Sequence, residues 1–290
     1  MKNAELQPFV VITGILAVAV LVVLAGSQNG ESFGGVRVFA LCAIIAFAIQ
    51  WLAFVPAYIA RTERFFDLTG SITYITVALV GIVAVGNWNP RSLIIAGLIM
   101  AWALRLGSFL FLRVLGSGGD RRFDSIKRHF PTFLMTWTLQ GLWVLITAGA
   151  GLAAITTAKP TSLEWIAFVG LGLWAVGFAI EALADAQKQA FRKDPANRER
   201  FIRSGLWAWS RHPNYFGEIV IWAGIAVIAG PALSGWQWVT MVSPVFVVVL
   251  LTRVSGIPML ERRADRRWGE DPEYREYRAK TSVLVPRPPR

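Results

Sequence analysis

The stretch SRHPNYFGEIVIWAG, residues 210–224, sets the problem for the whole chain. Arg211, His212, Asn214, Tyr215 and Glu218 crowd into eight residues, and after Glu218 no charge appears until Arg253. A helix needs about 20 mostly apolar residues to cross a bilayer, and 219–252 is long enough. Further uncharged runs lie upstream, at 6–30, 38–60, 68–90 and 129–158. With 55% hydrophobic residues, the chain of 290 is too apolar for an ordinary soluble domain. The implied fold is all-α, a polytopic integral membrane helical bundle of about 7–8 transmembrane segments.

Eight apolar segments are predicted, near 8–26, 36–60, 70–87, 92–112, 132–155, 163–184, 215–230 and 236–252. Turn residues separate them, as at 26–30, 87–90, 159–160 and 230–231. The first segment reads as a retained spanning helix, because no A-x-A cleavage site closes it. The last two are short and closely joined, as in a hairpin. With the N-terminus in the cytoplasm, cytoplasmic pieces carry 25 of the 29 Lys and Arg residues and the opposite loops carry 3, with Arg105 inside a segment. Under the positive-inside rule that asymmetry fixes orientation and favours an even count, with both termini cytoplasmic. It also accounts for the net charge of +11 without nucleic acid as a partner. The partners expected are the lipid bilayer and a hydrophobic small molecule, and no obligate protein partner is inferred. One cysteine, Cys42, and two histidines leave no disulfide framework and no Cys- or His-based metal centre. No linker interrupts the chain, so 1–290 reads as a single transmembrane domain.

Topology leaves four groups of polar residues unexplained, and charges inside membranes are costly unless paired or functional. In the opening motif, Pro213 disfavours helix at His212, and Asn214 reads as the helix N-cap. Glu218, four residues on, shares its face. The motif reads either as a capped helix in the headgroup region or as a ligand site. Gly217 permits close approach of a partner or ligand. In IEALADAQKQAFRKDP, 180–195, Glu181 and Asp185 sit at the end of segment six, against the helix dipole. Lys188 and Arg192 continue the Asp185 face. The alternatives are an ion-paired interfacial helix, or Asp185 on a ligand hydroxyl and Arg192 on a phosphate. Arg105 lies about 12 Å inside the membrane from Arg113, either snorkelling or buried as a ligand contact. The loop after it, 116–122, reads as flexible, with a phosphate cradle as the alternative. In the tail, Arg253 and Glu261 flank Gly256 and Pro258, Arg262 to Arg267 read as surface, and Trp268, Tyr274 and Tyr277 suit an interface or a packed lid.

RHPNYFGE, ALADAQKQAFR and WGEDPEYREYRAKTSVLVPRP together resemble the steroid 5-alpha-reductase superfamily, and more narrowly its bacterial membrane members of unassigned function. RTERFFDLTGSITYI, 61–75, resembles the same group. The resemblance spans 61–290, and 181–290 is its cofactor-binding half. It implies an NADPH-dependent membrane reductase of a conjugated C=C bond in a lipid or steroid-like substrate, placed in the bacterial inner membrane. By motif match the cofactor residues fall on Asp185, Arg192, Asn214 and Glu218, with Arg253 weaker. Arg211, His212, Tyr215 and Arg105 join them as neighbouring candidates. Steroid-reducing members carry a Gln-Glu pair and a Tyr near the substrate carbonyl; here the counterparts read Gln50-Trp51 and Trp102. Candidate catalytic residues are therefore Glu63, Asp67, Tyr74 and Trp102. The C-terminal half also resembles isoprenylcysteine and phospholipid methyltransferases, which implies S-adenosylmethionine as the alternative cofactor. Their late Glu-Glu pair reads Glu261-Arg262 here. A third reading is a non-catalytic lipid-binding membrane protein.

Overall fold

The computed structural model describes residues 2–86, 88–117, 119 and 123–289. The chain is an all-α polytopic membrane protein, and the fold expected from the sequence is the one observed. Helices run α1 Lys2–Gly26, α2 Val38–Ile59, α3 Phe66–Val85, α4 Pro90–Ser117, α5 Phe130–Thr147 and α6 Gly149–Ile155. They continue as α7 Trp165–Lys193, α8 Pro213–Ala229, α9 Val242–Val249, α10 Ile257–Trp268 and α11 Pro272–Lys280. Among the described residues, seven helical stretches are long and apolar enough to cross a membrane, and α5 with α6, bent by 57°, makes up to eight. A two-residue antiparallel ribbon, β1 Ser32–Phe33 and β2 Val36–Arg37, precedes α2.

The chain falls into two compact units. The first comprises 1–167 and 226–243. In it α3 packs on α2 and α4, and α5 on α1 and α2. A cluster of Phe54, Ala57, Phe123, Phe133 and Trp137 fills one end of its core. Thr69, Thr73, Thr138 and Thr156 each donate their hydroxyl to the carbonyl four residues back, so these four donors are satisfied within the apolar interior. Arg91 reads in the sequence as a loop cation, yet it is only 1% exposed. Its guanidinium donates to the carbonyls of Ile228, at 2.6 Å, and Ser162. The last carbonyls of a helix lack intrahelical donors, so a cation there is favoured by charge as well as by hydrogen bonding.

The second unit comprises 168–225 and 244–290. Its α7–α8 pair is held by glycines. A Cβ at Gly217 would lie 2.6 Å from the Gly177 carbonyl oxygen and 2.7 Å from the Glu181 nitrogen. A Cβ at Gly224 would lie 2.6 Å from the Gly170 oxygen. Gly170 with Gly177, and Gly217 with Gly224, repeat every seven residues, so both pairs meet along one antiparallel seam. After α9 the helix widens into a π-helical turn, Leu250–Val254, and restarts at α10 with Pro258 in its first turn.

Two expectations are corrected. α7 does not end near 184 but runs to Lys193, so Glu181 and Asp185 are interior and the last turn carries Arg192 and Lys193. The helix therefore agrees with its dipole rather than opposing it. Asn214 is not the N-cap: α8 starts at Pro213, and the amide of Phe216 bonds back to the carbonyl of His212. Proline's fixed φ and missing N–H suit the first helical position, which puts the cap at His212, two residues before Asn214.

Candidate functional site

The site in the second unit is organised by Glu261 on α10. Its Oε2 lies 2.7 Å from Arg211 Nη1, and its Oε1 lies 2.8 Å from His212 Nε2. Arg278 approaches the same carboxylate at 3.9 Å. His212 is only 5% exposed and stacks on Tyr215 at 5.7 Å between ring centroids. Burial pulls the imidazolium below its ordinary range against the opposing hydrogen bond that the ring donates to Glu261. A neutral ring donates Nε2–H to the carboxylate and leaves Nδ1 as a buried acceptor with no partner. Arg211 Nε is a buried donor in the same condition.

The segment that carries Arg211 is held by the chain's end. Arg211 N–H donates to the Ser282 carbonyl at 2.8 Å, and the Ser210 hydroxyl to that of Leu284 at 2.7 Å. The Tyr277 hydroxyl donates to the Trp207 carbonyl at 2.7 Å, and Trp207 Nε1 to the carbonyl of Ala184 on α7 at 3.0 Å. Tyr274 donates to Asp265 at 3.3 Å; burial and then the nearby Glu261 and Asp265 push its phenol up to about 12, so it remains a donor.

Beside this network opens a cavity of about 470 Å³, within the range of about 300–1,000 Å³ usual for small-molecule sites. Lys188 and Arg192 of α7, Arg198 and Arg200 of the following loop, Arg211, and Arg263 and Arg267 of α10 all line it. Glu261 is the one acid among the lining residues, and it is already ion-paired. Aromatic rings supply the remaining walls: Phe201 packs against Trp268, Tyr274 and Tyr277 at centroid distances of 5.9, 5.2 and 5.4 Å. Trp268, Tyr274 and Tyr277 thus pack around Phe201 in one aromatic cluster. Arg263 and Arg267, read as surface, are exposed, and they also line the cavity. Their signal was readable: Leu260, Glu261, Arg263, Ala264, Arg267 and Trp268 follow the three-and-four spacing of one helix face.

The remaining candidates divide. Asn214 Nδ2 donates to Asp185 Oδ1 at 3.3 Å, which joins α8 to α7 two residues beyond His212. Asp185 is buried and Glu218, four residues beyond Asn214, is half-buried. Arg253 sits exposed in the π-helical turn. Arg105, Glu63, Asp67, Tyr74 and Trp102 belong to the first unit. There Glu63, 5% exposed, accepts from Lys127 at 2.7 Å. That bond, more than any other contact, raises the Lys127 ammonium above its ordinary value. Asp67 faces Arg113 at 3.9 Å. Tyr74 and Trp102 are buried edge-to-face at 5.1 Å, and Arg105 lies over Phe109. Of the loop 116–122, read as flexible with a phosphate cradle as the alternative, Gly118 and residues 120–122 lie outside the described residues, as does Asn87 of the 87–90 turn; a Cβ at Gly119 would lie 2.8 Å from Glu63 Oε1.

The model of the family described as "Protein of unknown function (DUF1295)" matches residues 53–281. Among curated proteins, "3-oxo-5-alpha-steroid 4-dehydrogenase 1" of Rattus norvegicus is 25% identical over 166 residues, 56% of this chain and 58% of that protein. "Steroid 5-alpha-reductase DET2" of Gossypium hirsutum is 29% identical over 122 residues, 42% of each chain. "Probable O-methyltransferase ustE" of Ustilaginoidea virens is 26% identical over 98 residues, 34% of each. The chain thus spans less than two thirds of the length of the curated relatives it matches. No solved structure matches it.

Proposed function

Because the chain belongs to the family of proteins of unknown function DUF1295, and with it to the steroid 5-alpha-reductase superfamily, we propose that it is a membrane-embedded, NADPH-dependent reductase. Its substrate is an apolar, lipid or steroid-like molecule with a C=C bond conjugated to a carbonyl. The observation that carries the cofactor assignment is the charge of the cavity, with seven cations around one carboxylate that Arg211 already pairs and His212 hydrogen-bonds. Clustered like charges are costly unless a polyanion joins them. NADPH is such a polyanion. S-adenosylmethionine carries a sulfonium and an ammonium, and the Glu261 carboxylate that would have to receive that ammonium is taken.

When bound, the cofactor supplies the hydride. The residues of the chain bind and orient. Arg192, Arg211 and their neighbours hold phosphate by charge-assisted hydrogen bonds. Asp185, Asn214 and Glu218 hold the nicotinamide end, and the aromatic cluster keeps water from the cavity. Arg253, His212, Tyr215 and Arg105 are retained as supporting candidates. For the substrate the groups available are Glu63, Asp67, Tyr74 and Trp102. A steroid ketone is not favoured, since Trp51, at the place of the polarising Glu, spends its indole N–H on Thr138 at 3.1 Å.

The test is thermal unfolding of the detergent-purified protein. A ligand selective for the folded state raises Tm. NADPH is expected to raise it, and S-adenosylmethionine is not. The methyltransferase reading, which the match to the fungal O-methyltransferase favours, takes its place if only S-adenosylmethionine stabilises.

A further inference from the structure

The first unit has a cavity of its own, of about 630 Å³, at the connection between α1 and α2. Leu24, Val36 and Ala40 give it an apolar wall, Ser27, Asn29 and Arg37 a polar one, and no acid lines it. All its lining residues precede residue 53, where the match to the family begins. Gly34 and Gly35, at φ of 57° and 81°, close the β1–β2 ribbon tightly and bring Arg37 to the start of α2. The Arg37 guanidinium donates to the Gly30 carbonyl, which fixes its place and leaves the rest of its fork to the cavity. Among the described residues it has no ion-pair partner. Ser27 Oγ is buried in the same wall with no hydrogen-bond partner. No side chain caps α2 and no acid lies in its first turn, so nothing in the chain offsets the positive helix end beside Arg37. Topology makes Arg37 conspicuous as well. It sits at the opposite end of α2 from Arg61 and Arg64, where a cation runs against the positive-inside rule. Arg91, assigned to the same side, is spent on the carbonyls of Ile228 and Ser162.

We propose that this cavity binds the headgroup of an anionic phospholipid from the leaflet opposite the basic loops, with the phosphodiester on Arg37 and an acyl chain along α1. The assignment is independent of the reductase reading. One guanidinium matches the single charge of a diester with forked donors. Ser27 and Asn29 offer a hydroxyl and an amide to the polar part of the headgroup. With no acid in the lining, the ammonium of a zwitterionic headgroup finds no partner, which selects a lipid of net negative charge, such as phosphatidylglycerol. The acyl chain has a path. Leu21 and Leu24, three residues apart on one face of α1, are 65% and 66% exposed, and Leu24 is itself part of the cavity wall. Trp236, exposed and bonded through its backbone N–H to Gln28 of the lining, sets the depth, because tryptophan favours the headgroup level of a bilayer.

The test is thermal unfolding of the full-length protein in detergent, with no dinucleotide present, against dioctanoyl phosphatidylglycerol, dioctanoyl phosphatidylcholine and glycerol 3-phosphate. A ligand selective for the folded state raises Tm. Phosphatidylglycerol is expected to raise it saturably, and the other two are not at the same concentrations. Arg37→Gln is expected to weaken the apparent affinity for phosphatidylglycerol by about tenfold, the usual weight of a charge-assisted contact. Lys159→Gln removes another cation, beside Ala158, whose N–H bonds to Asn29, but one outside the lining, and is expected to leave the affinity unchanged. Ala40→Glu guards against a folding defect in Arg37→Gln. It places a carboxylate in the first turn of α2, three residues from Arg37, which suits the helix end. Its ligand-free Tm is expected to hold or rise while the response to phosphatidylglycerol disappears. Equal responses to the two lipids, or a response to phosphatidylglycerol that survives both Arg37→Gln and Ala40→Glu, overturn the site. A response to glycerol 3-phosphate alone with the affinity of the lipid overturns the lipid as occupant, in favour of a soluble phosphate ester.

Discussion

Glu218 and His212 show how much a single side chain carries here. A glutamate facing lipid one turn inside a membrane helix costs on the order of a few kcal/mol, and Glu218 is half-buried rather than exposed. If it holds the cofactor, Glu218→Gln keeps the shape and loses the charge. NADPH affinity is then expected to fall by about tenfold or more, with the ligand-free Tm unchanged. A mutant that binds normally but melts early would instead assign Glu218 a structural task. His212 makes a prediction about pH. Burial lowers its folded-state value below the ordinary one of about 6.5. A group depressed in this way contributes stability that is present above the unfolded value and lost as pH falls through the folded one. Tm is therefore expected to drop between pH 7.5 and pH 5.5. His212→Gln, which can still donate to Glu261, is expected to show a shallower drop, and parallel slopes for the two proteins would count against the assignment.

At the scale of the element, the α7–α8 seam decides where the site residues stand. Asp185 and Asn214 meet because Gly177 and Gly217 let two backbones approach closely. A Cβ at Gly217 would lie 2.6 Å from the Gly177 oxygen, and backbone cannot yield as a flexible side chain does. Gly217→Ala is expected to cost roughly 1–3 kcal/mol and to weaken NADPH binding by spreading Asp185 from Asn214. Gly172→Ala, also on α7 but with nothing within 4 Å of its added Cβ, is expected to be neutral or to stabilise by up to about 1 kcal/mol. Both are read by thermal unfolding in detergent, and equal effects would show that the seam is not set by these glycines. Gly217 stood out in the sequence as a place of close approach. Its partner was not readable, because a missing side chain does not say which surface fills the space.

For the whole molecule, 25 of the 29 basic residues fall on one side of the proposed topology. Both termini are therefore expected in the cytoplasm. A C-terminal reporter active only in the cytoplasm should be active, and a periplasm-specific reporter silent; the reverse would remove the even count of spans. The sequence alone determined the helical segments and their order, because an uncharged run of bilayer length has no other low-cost state. It also determined the motif residues, since charge at the mouth of such a run is costly enough to signify. Only the tertiary structure decided the pairing: Glu261 on Arg211 and His212, Asn214 on Asp185, and Arg91 on the carbonyls of Ile228 and Ser162. It also showed that the exposed Arg263 and Arg267 line a cavity. Glu261 lies 49 residues from His212, and Arg91 lies 137 from Ile228. Periodicity reports which face a residue occupies on its own helix, but the partner on another helix is set by packing across the fold, which leaves no local mark in the chain.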